Sequence, residues 1–178
     1  MACAVTAGRN LPCKASVGGL KNLFLHTFDT DVETLTPDAN GRVTLPTGNN
    51  ADFFKYFLKG NSSMETTITS SRENGTTFFQ TALNVTLQFL DTKTQEQIKL
   101  ISKDRLHVVV EDYNGNFFLI GREHGCEITG GTVVTGAAMG DLSGFTLVFD
   151  AQETRPPEFC TAAPDLSDAT PIDPEAAV

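Results

Sequence analysis

The longest regular pattern in the chain is an alternation of apolar and polar positions between Thr76 and Leu90. Successive side chains of a strand point to opposite faces, so this pattern predicts one long strand. At about 3.3 Å per residue it would span on the order of 50 Å, more than most strands within one domain. We expect residues 62–72 to pair with it. Its predicted faces are Phe79, Thr81, Leu83, Val85, Leu87 and Phe89 on one side, and Gln80, Ala82, Asn84, Thr86 and Gln88 on the other.

A second strong pattern, at residues 106–122, predicts a central β-hairpin. Asn114-Gly115 lies between two runs of β-branched and aromatic residues. This dipeptide favours a two-residue type I′ turn, in which both turn residues have positive φ. Both faces of the hairpin are mostly apolar, so we expect it to be covered on both sides rather than to lie at an edge. A two-residue turn would pair Val110 with Leu119, Val109 with Ile120 and Glu111 with Phe118.

The rest of the chain shows one helix and several shorter strands. The helix is predicted at about 92–104, with Ile98 and Ile101 on its apolar side. Its start fits a capping box formed by Thr92 and Gln95 or by Thr94 and Gln97. Short strands are predicted at 20–28, 42–45, 52–59, 124–129 and 143–152, and residues 30–36 are expected to extend the first strand or pair with it.

These elements predict a mainly β chain with three parts. Residues 1–19 are small and Gly-rich, which is typical of an N-terminal arm. Residues 20–154 carry the predicted strands and the helix. Residues 155–178 hold five of the eight prolines and one basic residue, which indicates an acidic, extended tail that is flexible or folds onto a partner.

Composition limits the classes of function. The chain has 178 residues, a net charge of −9 and a pI near 4.7. This charge argues against a surface that grips nucleic acid, because such binding neutralises phosphates with Lys and Arg. No apolar run approaches the length of a membrane span, so no membrane insertion is expected. The start lacks the features of a secretory signal, so we expect a protein that stays in a cytosol until assembly.

The four cysteines are scattered along the chain: Cys3, Cys13, Cys126 and Cys160. Cys3 and Cys13 could close a short loop in an oxidising compartment. Reduced structural thiols are the alternative, and we favour it for a cytosolic product.

Candidate chemical groups each have a simpler structural interpretation. His124 and Cys126 lie close in sequence but lack the paired spacing of a zinc site, and His26 and His107 are expected to be hydrogen-bonded strand residues. The carboxylates Glu111, Asp112, Glu127 and Asp141 are interpreted as solvated turn acids rather than a glycosidase pair. Gly131, Gly136, Gly140 and Gly144 precede a strand, so a mobile loop or bulged hairpin is favoured over a phosphate-binding loop. Glycosylation is not expected at the sequons that begin at Asn61, Asn74 and Asn84.

We therefore predict no catalytic, cofactor-binding or metal-binding residues and no enzymatic activity. A family resemblance suggests a structural role instead. It rests on Val108-Val109-Val110-Glu111-Asp112-x-Asn114-Gly115-x-x-x-Leu119-Ile120-Gly121, on Thr129-Gly130-Gly131-Thr132-Val133-Val134-Thr135-Gly136, on Gly140-Asp141-Leu142-x-Gly144-Phe145-Thr146-Leu147, and on Glu153-x-x-Pro156. These segments resemble the C-terminal half of tail tube proteins of tailed bacteriophages. The segments Met1-Ala2-Cys3-Ala4, Pro12-Cys13 and Gly18-Gly19-Leu20-Lys21 are similar to their N-terminal segment.

The resemblance implies an antiparallel β-sandwich or half-barrel with one flanking helix and a long hairpin. It also implies hexameric rings that stack into a tube, with a lumen lined by continuous β-sheet. The implied partners are further copies of the chain, other tail proteins, and DNA only as non-specific cargo in the lumen. The implied location is the virion tail, after assembly in the host cytoplasm.

Other classes of protein stay open from sequence alone. A neck, head-decoration or baseplate protein of a phage could share the β-fold. A non-viral β-sandwich that binds carbohydrate or protein would be a monomer with a concave aromatic-lined site. An enzyme would need a cleft in which perturbed acid or base groups converge.

Overall fold

The computed structural model describes residues 7–11, 13–48 and 52–174. The chain is mainly β, as the sequence predicts. Its strands are β1 (Leu20–Thr27), β2 (Arg42–Val43), β3 (Phe54–Phe57), β4 (Ser63–Ser71), β5 (Thr76–Gln88), β6 (Leu106–Asp112), β7 (Phe117–Ile120), β8 (Glu127–Val134), β9 (Gly144–Glu153) and β10 (Glu158–Cys160). Its helices are α1 (Thr30–Glu33) and α2 (Thr92–Ile101).

The strands form two sheets. One has six strands in the order β2-β10-β7-β6-β1-β3, and the other has four strands in the order β4-β5-β9-β8. Neighbouring strands are antiparallel except for β10 and β2, which pair in parallel. Two packed sheets of this kind confirm the predicted β-sandwich.

The main core lies between the two sheets. Alternate residues of β1, β6 and β7 face alternate residues of β5 and β9, as period-two patterning requires. Phe145 and Phe149 are almost fully buried there, and burial of one such side chain contributes roughly 1.5–3 kcal/mol. The other buried members include Leu23, Leu25, Leu83, Val85, Leu87, Leu106, Val108, Val110, Ile120 and Leu147.

A second core covers the opposite face of the six-stranded sheet. It is built on Phe24, Val109 and Leu119, and the segment between β1 and β3 packs over these residues. Phe53 is its largest fully buried side chain, and Cys160 of β10 closes it. The hairpin β6–β7 is therefore covered on both sides and central in its sheet, as predicted.

The hairpin β4–β5 is long, and β4 is the predicted partner of β5. Nine residues of β4 pair with β5, from Ser63 opposite Asn84 to Ser71 opposite Thr76. The prediction that the alternation continues to Leu90 is wrong, because β5 ends at Gln88. Phe89 has a φ of 67°, which breaks the strand and exposes its ring.

The predicted register of the central hairpin is wrong by one residue. Val110 pairs with Phe118 and Val109 with Leu119. The turn has three residues, because the Asp112 N–H donates to the Asn116 carbonyl and the positive φ of 80° falls on Gly115 alone. This is the pattern of a turn followed by a glycine bulge rather than a type I′ turn.

Helix α2 begins at Thr92, as predicted, but its N-cap and its end differ from the prediction. The N-cap of α2 is Asp91, whose carboxylate accepts a hydrogen bond of 2.8 Å from the Thr94 N–H, so neither predicted capping box forms. The helix ends at Ile101 rather than near 104. Residues 30–36 were expected to continue or pair with β1, but they form the single-turn helix α1 capped by Asp29.

The C-terminal part of the structure, from β8 onward, also differs from the prediction. The predicted short strand at 124–129 is instead β8, which runs through the Gly-rich stretch and pairs with β9 around an irregularity between Ile128 and Gly130. This is the bulged hairpin of the two predicted alternatives. The sequence placed the end of the sheet region at residue 154, but residues 158–160 of the predicted tail form β10 between β7 and β2. Leu166 adds a bridge to Phe53.

Candidate assembly surface

The four-stranded sheet has one face in the main core and one face open to solvent. We call the open face the outer face. Register places its residues in rows across the sheet, for example Glu65, Ala82, Asp150 and Glu127. Further members are Ser63, Thr67, Gln80, Asn84, Thr86, Gln88, Thr132, Thr146, Val148 and Gln152. All of these side chains are exposed or half-buried.

The outer face is mainly polar, although the register also places Phe78, opposite Thr69, and Val134, opposite Gly144, on it. Its members are mostly short hydroxyls and amides, and none is Lys or Arg. Gln80 Nε2 donates to Asp150 Oδ1 over 2.9 Å, and the hydroxyls of Thr132 and Thr146 are within hydrogen-bond distance of each other. The predicted polar face of the long strand is therefore part of a polar, weakly acidic surface that spans four strands.

Both edges of this sheet are open. Within the described residues, neither β4 nor β8 pairs with a strand on its outer side. The two strands have similar lengths, 9 and 8 residues, and contain no Pro, Lys or Arg. Proteins usually protect edge strands with such residues, with bulges, or by covering them. β8 carries one irregularity, between Ile128 and Gly130, and each strand carries one Glu; otherwise both edges are available for pairing with another chain.

Two hairpins project from opposite ends of the sheet. The β4–β5 turn, 72–75, lies at the end where Phe79 pairs with Glu153, and the β8–β9 loop, 135–143, lies at the end where Gln88 pairs with Gly144. The loop is ordered by Asp141, whose carboxylate accepts hydrogen bonds from the backbone N–H groups of Ala137 and Ala138. Those bonds from Ala138 and Ala137 lower the pKa of Asp141.

The predicted thiol and imidazole candidates do not form a reactive site. Cys126 is buried in the main core, where burial raises the pKa of its thiol, while His124 is exposed. A nucleophilic cysteine needs the opposite shift. Burial likewise raises the pKa of Cys160 to about 12. Cys13 is an exposed free thiol, and the predicted alternative of a bond to Cys3 lies outside the described residues.

His26 and His107 are hydrogen-bonded strand residues, as predicted. His107 Nδ1 lies 2.7 Å from the Gly121 carbonyl oxygen, and the Asp29 N–H donates to His107 Nε2 over 3.1 Å. This arrangement fits a neutral ring that carries its proton on Nδ1. Burial lowers the pKa of His107, which favours the same neutral form.

Of the four candidate carboxylates, Glu111 differs from the prediction. It is buried and accepts hydrogen bonds from Lys21 Nζ, at 2.8 Å, and from the Asn22 side chain. Burial alone would raise the pKa of Glu111, but the bonds from Lys21 and Asn22 outweigh it and the pKa is lowered. Asp112 and Asp141 are turn acids and Glu127 is exposed, as predicted.

A polar cluster that no sequence pattern predicts surrounds the buried Arg122. Its guanidinium donates to the Leu35 carbonyl over 2.6 Å, and its Nε lies 2.6 Å from a carboxylate oxygen of Glu158. Glu123 pairs with Arg122 at 3.1 Å and with Arg155 at 3.5 Å. These residues are far apart in sequence and share no motif. Their contacts join β10 and the β7–β8 connection to α1, so the cluster has a structural role.

A shallow groove of about 200 Å³ lies between α2 and the edge of β1 and β3. Tyr56, Leu100 and Ile101 line it together with Leu25, His26, Thr27, Phe54, Gln97, Asp104 and Leu106. Sites for small molecules are usually about 300–1,000 Å³ and enclose most of the ligand. The groove therefore does not favour a small-molecule site.

The described residues show neither a metal site nor a membrane-spanning helix. The described residues contain no group of three or more His, Cys, Asp or Glu placed to hold a metal ion. Within residues 7–11, 13–48 and 52–174, no helix has the length and apolar character needed to cross a bilayer. Comparisons with protein-family models, curated proteins and solved structures found no match to this chain.

Proposed function

We propose that this chain is a non-enzymatic tail tube protein of a tailed phage, which assembles in the host cytoplasm into hexameric, stacked rings of the virion tail. The observation that carries the proposal is the four-stranded antiparallel sheet with two open edges and an uncovered outer face. The sequence resemblance described above supplies the identity of the assembly. The open edges of β4 and β8 and the uncovered outer face supply the physical reason for assembly.

Strand direction favours closure into a ring. Because neighbours in this sheet are antiparallel and the sheet has four strands, the edge strands β4 and β8 run in opposite directions. Copies rotated about an axis roughly parallel to the strands keep those directions. β8 of one copy would then meet β4 of the next in antiparallel orientation, and the sheets would join into one closed sheet without a free edge.

The outer face would line the lumen of such a ring. Binding to duplex DNA depends on Lys and Arg that displace counterions from phosphates, and none is present among the outer-face residues. The carboxylates Glu65, Glu127 and Asp150 would repel phosphates instead. A lumen of this composition would let DNA pass without holding it.

The terminal segments and the Gly-rich loop would make further contacts. Residues 1–19, 130–144 and the part of 155–178 that follows β10 are proposed to touch neighbouring copies, adjacent rings or other tail proteins. The described arm residues 7–11 and 13–19 are exposed, which leaves them available for such contacts.

The test is the assembly state of the purified chain. We expect rings or tubes in negative-stain images, and a matching mass by native mass spectrometry. The double variant Thr67→Lys/Thr69→Lys adds charge along the exposed edge strand β4 and should stop ring closure, because charged edges resist pairing. The matched control, Thr92→Lys/Gln95→Lys, adds the same charge to exposed positions of α2 and should assemble normally.

A different assembly state would contradict the proposal. A chain that stays monomeric at every concentration, alone and with virion tail components, would rule out the tube. The β-sandwich binding module would then be the better interpretation, and the α2 groove would be the place to test for a peptide or protein ligand.

A further inference from the structure

The backbone of Phe89 is strained without a visible benefit to the fold. Its φ of 67° lies in the left-handed region, where a bulky side chain crowds the following carbonyl oxygen. Phe89 is 57% exposed, so contacts within the chain do not compensate for the strain. Residues held in such conformations cluster at functional sites, which makes Phe89 a candidate contact residue.

Phe89 lies in an apolar region at one end of the four-stranded sheet. The Phe89 N–H donates to the Ser143 carbonyl over 2.9 Å, which holds Phe89 at the base of the 135–143 loop. Leu90 is 38% exposed, and Met139 of the same loop is fully exposed. We call Phe89 and Leu90, with the 135–143 loop that carries Met139, the lower patch.

The opposite end of the same sheet carries a second apolar region. β9 pairs with β5 only from Phe79 onward, so residues 76–78 extend past it with β4 alone beside them. Ile68, which pairs with Phe79, is 65% exposed. We call Ile68 and Phe79, with the adjacent turn 72–75, the upper patch.

We propose that the lower patch of one copy binds the upper patch of the next, so that Phe89 is a stacking residue between rings; this inference rests on the proposed function. The two patches lie at opposite ends of β5, so a shift along the strand brings them together. Contacts between unlike surfaces can repeat without limit along one direction. The turn 72–75 carries one exposed cation and one exposed anion, Arg72 and Glu73, so its net charge is near zero and does not oppose contact with a loop that carries Asp141.

The patches are small, which is consistent with contacts that hold whole rings together but not isolated pairs of copies. Each patch is a few side chains, far less than the roughly 1,000 Å² that a stable pairwise interface needs. A single pair of copies would therefore not stay together through it. A ring makes all of these contacts at once, and the gain from linked contacts turns weak pairs into a stable stack.

The test is Phe89→Gly, because glycine removes the ring and relieves the strain together. We expect the variant to unfold at an equal or higher temperature than the wild type and to form normal rings. The fraction of protein that pellets as tubes should fall by at least about tenfold, because linked contacts amplify each loss. Phe89→Tyr keeps the aromatic contact and should form tubes normally.

A second variant addresses the other side of the contact. Ile68→Ser should also give rings without tubes. An equal mixture of Phe89→Gly rings and Ile68→Ser rings retains one intact combination of patches, so it should give paired rings and no long tubes.

The outcomes separate this inference from the proposed function. Phe89→Gly tubes of wild-type length and yield would overturn the stacking role and leave the ring-forming function intact. A wild-type chain that never forms rings would overturn both.

Discussion

At the scale of single residues, the buried carboxylate of Glu153 is an unusual feature of the fold. It accepts a hydrogen bond of 2.7 Å from the Glu123 N–H and a longer one from the His124 N–H. Burial raises its pKa despite those bonds, and the charge of Glu123 adds to the rise. The folded state therefore binds a proton at this site more tightly than the unfolded chain does.

This shift makes a prediction about pH. A carboxyl group whose folded pKa is raised stabilises the fold at low pH, and that stabilisation is lost as pH rises through the folded pKa. Glu153→Gln keeps the accepting oxygen and removes the charge. We expect the free energy of unfolding of this variant, relative to that of the wild type, to be larger at pH 7.5 than at pH 4, meaning a relatively more stable fold at high pH, as measured by denaturant titration.

Glu127→Gln is the matched control, since Glu127 is exposed on β8. It should show no such change between the two pH values. If Glu153→Gln is less stable than wild type by the same amount at both pH values, the carboxylate is not the unfavourable charge described here.

At the scale of elements, patterning predicts strands well and their turns less well. The faces of β5 follow from alternation, because one face must be buried against the other sheet. The turn of β6–β7 does not follow from Asn114-Gly115, because the Asp112 carboxylate accepts backbone N–H bonds from both Asn114 and Asn116 and organises a longer turn. A side chain outside the dipeptide thus decides the register.

The same turn fixes the N-terminal arm. Asn114 Oδ1 accepts a hydrogen bond of 2.9 Å from the Val17 N–H, and Asn114 Nδ2 donates over 2.8 Å to the Val17 carbonyl. The side-chain amide therefore continues the β1–β6 ladder where the backbone of the hairpin turns away. No pattern in the sequence predicts this pairing, since Val17 and Asn114 are 97 positions apart.

Removing that amide should loosen the arm without unfolding the sandwich. For Asn114→Ala we expect amide exchange at Val17 to rise about fivefold, the effect of losing roughly 1 kcal/mol of hydrogen bonding. Trypsin should also cut faster after Lys14. Asn74→Ala, in the Asn-Gly turn of β4–β5, is the control and should leave both rates unchanged. Unaltered exchange at Val17 in Asn114→Ala would show that the arm is held in another way.

At the scale of the whole molecule, periodicity was enough to predict a mainly β chain and the family resemblance implied a β-sandwich, but neither predicted the surfaces of the sandwich. Which strands lie at an edge depends on long-range pairing, and β10 shows the difficulty, because a Pro-rich tail supplies a strand to the middle of a sheet. The open edges β4 and β8 could be recognised only from the topology. The polar side of the long strand could be predicted, because alternation alone separates it from the core.

The composition of the outer face leads to a test on the assembled protein. Asn84 and Gln152 are exposed on this face. Under the proposed assembly, we expect wild-type tubes to bind duplex DNA weakly at physiological salt, and Asn84→Lys/Gln152→Lys tubes to bind it more tightly, because Lys in the proposed lumen would neutralise phosphates. The gain in DNA affinity should fall steeply with salt. The slope of the logarithm of the binding constant against the logarithm of the salt concentration should become more negative by about 0.9 for each additional phosphate contacted. The control Thr92→Lys/Gln95→Lys carries the same added charge on α2. If that control binds DNA as tightly as the outer-face variant, net charge alone governs binding and the outer face does not line the DNA path.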